Sequence, residues 1–173
     1  SNGGQMAYRL GLERPDLVLA IAPMAASLPA PATRDCRESG KPVATAIFNG
    51  TEDPVNPFAG GLVSILGNSS RGEVLSSQAT ARYWARLAGY SSEPALEELP
   101  DRDPGDGTRV RIEHWQAPER AEVAHYMIEG GGHTIPSRGL QLPRIVGRTT
   151  LDIDGPREAW EFFKRQWPSS NRP

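Results

Sequence analysis

The chain has 173 residues, 38% apolar and 23% charged, with a formal net charge of −2. That length suits one domain, and the near-neutral balance excludes a basic nucleic-acid binder, an acidic disordered tail and a collagen-like fibre. A single cysteine excludes an internal disulfide framework, and no run approaches the roughly 18 apolar residues that a membrane helix needs.

In chain order, Gly3 to Glu13 reads as a short helix with Met6, Tyr8 and Leu10 on its apolar face, ended by Arg14-Pro15-Asp16. Leu17 to Ala26 (LVLAIAPMAA) is a nearly continuous apolar run, the pattern of a strand buried on both faces of a parallel sheet. Pro29 to Pro42 is a loop carrying Cys36. Val43 to Asn49 (VATAIFN) is a second buried strand, emptying into Gly50-Thr51-Glu52-Asp53-Pro54. Ser76 to Leu87 reads as a helix capped by Ser76 or Ser77, with Tyr83, Trp84 and Leu87 inward. Ser91 to Thr108 is acidic and turn-rich. Val110 to Trp115 and Val123 to Ile128 alternate as two strands, the second running into Gly130-Gly131-Gly132-His133. Gly155 to Trp167 is an amphipathic helix, with Trp160, Phe163 and Trp167 expected in the core. No period of 20–50 residues recurs, which excludes a solenoid or propeller. Helices alternating with short apolar strands predict an α/β sheet.

Three polar residues stand at the mouths of these elements: Ser1, Asp53 and His133. Ligand crevices of parallel sheets lie beyond the carboxyl ends of the strands, so the loops carrying Asp53 and His133 should converge. Ser1 precedes a helix opened by two glycines, where backbone N–H groups can face a substrate. The order Ser, Asp, His is the chain order of α/β-hydrolases. A serine hydroxyl needs a base during attack. The imidazole of His133 can take that proton and return it to a leaving alcohol, and Asp53 can fix the imidazole tautomer.

The segment Ser1-Asn2-Gly3-Gly4-Gln5-Met6-Ala7-Tyr8 resembles the nucleophile segment of the polyhydroxybutyrate depolymerase/feruloyl esterase family of α/β-hydrolases, where the serine usually follows Gly-x. Asn49-Gly50-Thr51-Glu52-Asp53-Pro54-Val55-Asn56-Pro57 is similar to that family's aspartate loop, and Glu129-Gly130-Gly131-Gly132-His133-Thr134 to its histidine loop. Leu99 to Thr108 and Arg148 to Asp154 are similar to its intervening and terminal segments. Ile135-Pro136 stands where the family commonly has Trp-Pro.

The resemblance implies a mainly parallel α/β-hydrolase-type sheet and a serine carboxylic-ester hydrolase. It implies Ser1 as nucleophile, His133 as base, Asp53 as its orienter and the Asn2 N–H as one oxyanion donor. No cofactor and no metal are expected. The implied substrates are hydroxyalkanoate oligomers or feruloyl and acetyl esters, with no nucleic-acid partner, no membrane span and a secreted or periplasmic location. Residues 1–173 are expected to form a single partial domain, the C-terminal half of the hydrolase. The elbow glycine, the strand before the serine and the second oxyanion donor would lie upstream, and the chain alone is expected to be inactive.

Two other readings fit parts of the pattern. An N-terminal-nucleophile amidohydrolase would use the amine of Ser1 as base, and a non-catalytic binding fold would keep only the scaffold. His114 and His125, inside strands, read as structural. Cys36 reads as inert, with pairing to an upstream cysteine as the alternative. Asp101, Asp103 and Asp106 fail the spacing of a calcium loop, because Ile112 occupies the position of its final glutamate. Asn49-Gly50-Thr51 and Asn68-Ser69-Ser70 match the glycosylation pattern only weakly.

Overall fold

The computed structural model describes residues 1–65, 67–69, 71–139 and 142–167. Its centre is the strand β2 (Ala44–Gly50), buried at all seven positions. Such burial on both faces requires a layer of helices on each side of the sheet. Strand β7 (Val123–Glu129) lies parallel to β2, with Thr45 opposite Val123 and Gly50 opposite Ile128. On its other side β2 pairs in parallel with β1 (Ala20–Ile21). Beyond β7 come β6 (Arg109–Trp115) and β5 (Ala95–Glu98), each antiparallel to its neighbour. The sheet order is β1-β2-β7-β6-β5, and a separate two-stranded ribbon joins β3 (Gly61–Leu62) to β4 (Glu73–Val74).

Side-chain alternation divides the core into two. Ile47 of β2 and Val123 of β7 join Tyr8, Leu12 and Trp84 from helices α1 (Asn2–Glu13) and α2 (Ser77–Leu87). Ala44, Ala46 and Phe48 of β2 join Tyr126 and Ile128 of β7, with Phe162 from α3 (Gly155–Gln166), in the second cluster. Phe48 and Tyr126 stack with centroids 4.2 Å apart. Helix caps are local: the Ser76 hydroxyl accepts from the Ala79 N–H at 3.1 Å, and the Asp154 carboxylate accepts from the Arg157 N–H at 3.0 Å.

The sheet is mixed, with most of its strands running in one direction. Four strands share a direction and β6 runs against them, because the short connection from β6 to β7, residues 116–122, can only return the chain antiparallel. The apolar run Leu17 to Ala26 contains only two strand residues. It lies at the sheet's end, Leu17 and Leu19 are 61% and 53% exposed, and Ala25 has a positive φ of 49°. Conversely, β5 falls in the acidic stretch read as loop, since a solvated edge strand need not show apolar alternation. Met6 points to solvent, while Gly4, Tyr8, Gly11 and Leu12 form the buried stripe of α1. Trp160 and Trp167 are also exposed, at 55% and 44%, because Ala159 and Phe162 set the inward face of α3.

Candidate active site

The parallel register of β2 and β7 brings their carboxyl ends level, so the loops after Gly50 and Glu129 leave side by side. They are stitched together by backbone hydrogen bonds: the Thr51 N–H donates to the Ile128 carbonyl at 3.0 Å and the Glu52 N–H to the Gly131 carbonyl at 2.9 Å. The Gly130 N–H donates to the Thr51 hydroxyl at 2.9 Å. Glycine is required at Gly50, where a Cβ would collide with the backbone of Gly131 and Gly132. A third segment clamps the histidine: the Gly132 N–H donates to the Arg148 carbonyl and the His133 N–H to the Val146 carbonyl at 2.6 Å. An Arg148–Glu52 ion pair at 3.0 Å closes the arrangement on the outside.

Within this frame His133 Nδ1 lies 2.8 Å from Asp53 Oδ2. The other carboxylate oxygen, Oδ1, accepts from the backbone N–H groups of Val55 at 2.7 Å and Asn56 at 2.8 Å. An ionised carboxylate only accepts, so Nδ1 carries the hydrogen. In the neutral imidazole Nε2 is then the free acceptor, the tautomer that a general base needs. The Asp53 carboxylate is sealed from solvent, whereas part of the His133 ring is open to it.

Ser1 stands before α1, and its side chain makes no capping hydrogen bond to the helix it precedes. The usual intrahelical use of an N-cap hydroxyl is therefore absent here. The Ser1 amine donates to the Met24 carbonyl at 2.7 Å. Burial pulls that amine below its ordinary value of 8.0, with the Asp53 carboxylate opposing the shift. A cavity of about 460 Å³ is lined on one side by Ser1, Gly3 and Gly4 and on the other by His133, Thr134 and Ile135, over a floor from Ala22 to Ala25. Its size falls in the range of small-molecule sites. The fold thus places Ser1 and His133 on one cavity, with Asp53 buried behind the His133 ring and Asn2 opening helix α1 directly after Ser1.

The remaining polar residues fall elsewhere. His125 is fully buried, with Nδ1 2.9 Å from Glu113 and Nε2 2.6 Å from the Ser77 hydroxyl. That serine–histidine–glutamate chain has the order of a triad but is shut off from substrate. His114 pairs with Glu97 across the β5–β6 strands at 3.1 Å. Cys36 is a free thiol against the core, its pKa pushed up by burial. No cluster of three metal-ligating side chains occurs among the described residues, and no described helix is long and apolar enough to cross a membrane. Asn49 is 2% exposed with its amide fully engaged, which removes it as a glycosylation acceptor in the folded state. Ser70, in the second such pattern, lies outside the described residues.

Sequence reading missed the roles of Asn49, Asn56 and Ser27: both asparagine amides donate to the Ser27 hydroxyl, and the Asn56 N–H donates to Asp53. The available signal was an asparagine closing a strand otherwise apolar enough to be buried on both faces.

Fold and site together define an α/β protein in which Ser1 and an Asp53-bonded His133 line the same cavity. Comparison with known proteins adds an esterase-like relationship. The chain is 30% identical over 170 residues to a protein of Nocardia uniformis subsp. tsuyamanensis described as "Putative esterase NocK", covering 94% of this chain and 48% of that protein. It therefore spans about half the length of that relative. No protein-family model matches the chain, and no solved structure matches it.

Proposed function

We propose that this protein belongs to a serine carboxylic-ester hydrolase of the α/β-hydrolase type, with Ser1 as nucleophile, His133 as general base and Asp53 as its orienter. The observation that carries the reading is the 2.8 Å bond from His133 Nδ1 to Asp53 on the same cavity as Ser1. In the reaction the Ser1 hydroxyl oxygen attacks the ester carbonyl while His133 Nε2 takes its proton. The Asn2 N–H, first of the unpaired donors of α1, faces the developing oxyanion. Collapse expels the alcohol, which receives the proton from His133. Water then enters by the same route, releasing the acid and restoring the serine.

The apolar cavity walls, Ala22, Pro23, Met24, Ile135 and Leu142, suit a compact apolar acyl or alkyl group. This fits a short hydroxyalkanoate ester or the acyl part of a feruloyl or acetyl ester. The esterase relative supports the class of reaction at a coarse level. Full activity is proposed for a chain that also carries a second oxyanion donor from outside residues 1–173.

A chain processed to expose Ser1 would instead use its amine as the base of an N-terminal nucleophile. The Asp53–His133 pair has no task in that scheme. Hydrolysis of a p-nitrophenyl ester series separates the two. His133→Ala should abolish turnover with the fold retained by circular dichroism, and turnover that survives the substitution rejects the triad.

A further inference from the structure

We infer that Asn56, acting with Ser27 and Asn49, is a positioning residue that locks the Asp53 loop to the segment adjoining the cavity floor. A chain of buried polar side chains runs under the site. Asn56, itself buried, gives its backbone N–H to Asp53 Oδ1 at 2.8 Å. Its side-chain Oδ1 accepts from the Ser27 N–H at 3.3 Å, and its Nδ2 donates to the Ser27 hydroxyl at 3.1 Å. The same hydroxyl accepts from Asn49 Nδ2 at 3.0 Å, and Asn49 Oδ1 accepts from the Ala26 N–H at 3.2 Å. Asn49 Nδ2 also donates to the Ser77 hydroxyl at 2.9 Å, where the His125–Glu113 pair begins.

The geometry gives these residues a task beyond filling space. Residues 25 to 27 continue from β1, where the positive φ of Ala25 turns the chain away from regular strand geometry. The N–H groups of Ala26 and Ser27 are held by two asparagine side chains instead of by backbone. These residues adjoin Met24 and Ala25 in the cavity floor, and the Met24 carbonyl holds the Ser1 amine. One residue, Asn56, therefore touches both the orienting carboxylate and the segment that carries the nucleophile's support. Every donor and acceptor of its amide that is bonded points at Ser27, so the aspartate loop cannot shift without breaking buried hydrogen bonds.

The kinetic part of this inference rests on the triad proposed above, whereas the structural part does not. The test follows the slowly exchanging imidazole N–H protons by NMR in the 173-residue chain. His133 Nδ1–H is the reporter and His125 Nδ1–H the internal control, each assigned by its loss on substitution of that histidine. In Asn56→Ala, exchange of the His133 proton should quicken roughly tenfold or more, as expected for a loosened hydrogen bond. The His125 proton should hardly change. Ser27→Ala removes the shared acceptor oxygen yet leaves every backbone bond, and it serves if Asn56→Ala does not fold. The same selective change, smaller in size, is expected there. With an active chain, kcat should fall while KM stays constant.

Selective quickening at His133 without any ester turnover would retain the positioning role and reject the hydrolase reading. Equal quickening at both histidines, no change at either, or no protected His133 proton in the unsubstituted protein would overturn the inference.

Discussion

At the scale of single residues, the strongest constraint is the division of labour between the two oxygens of Asp53. Oδ1 is committed to the N–H groups of Val55 and Asn56, so only Oδ2 is available to His133. In Asp53→Asn the amide oxygen must take the Oδ1 position, since an amide nitrogen there would face two donors. The NH2 group then points at His133 Nδ1 and requires it to accept. The hydrogen moves to Nε2, and in the mechanism proposed above the ring can no longer receive a proton from serine. With geometry and fold otherwise retained, kcat for ester hydrolysis should drop by about 10⁴; a loss of less than tenfold would show that tautomer control is not the role of Asp53. The meeting of Asp53 with His133 was legible in the sequence because each follows a buried strand by a few residues. The roles of Asn49, Asn56 and Ser27 were not, because an asparagine acquires its meaning from partners that are distant in the chain.

At the scale of elements, legibility followed burial. The strand β2 is visible as a continuous apolar run, and β6, β7 and the three described α-helices through apolar positions that repeat with the period of the element. Of the edge strands, β1 was read only as part of the longer run Leu17 to Ala26 and β5 not at all, since pairing on one side imposes no regular pattern. Helix α3 shows how period and phase separate. Its aromatic spacing predicted a helix, but Trp160, Phe162 and Phe163 lie within four residues, and aromatic character alone does not say which faces inward. Phe162 is completely buried against the β2–β7 layer, whereas more than half of Trp160 is exposed. Phe162→Ala should therefore cost about 3–5 kcal/mol in chemical denaturation. Trp160→Ala should stay within about 0.5 kcal/mol of the parent, as surface substitutions do. Comparable losses from both would mean that Trp160 is covered in solution.

At the scale of the whole molecule, the sheet has two unequal ends. The β5 edge is short and carries Glu97 and Glu98, with Arg111 on the neighbouring strand within 3.9 Å of Glu98. Charge of this kind discourages pairing with another chain. The β1 end has none: from Leu17 to Thr33 the sequence holds no charged residue, and Leu17 and Leu19 stand exposed beside two strand residues that, among the described residues, pair only with β2. An apolar, uncharged edge invites strand addition from a second copy. The 173-residue chain should accordingly self-associate as its concentration rises, visible as an increasing weight-average mass in sedimentation equilibrium. Leu19→Lys places a charge on that edge without touching the buried core and should shift the association to higher concentration. Leu96→Lys, on the already charged β5 edge, should leave it unchanged. If both substitutions act alike, association runs through a surface other than β1; if the parent chain stays monomeric throughout, the edge is too short to template a strand.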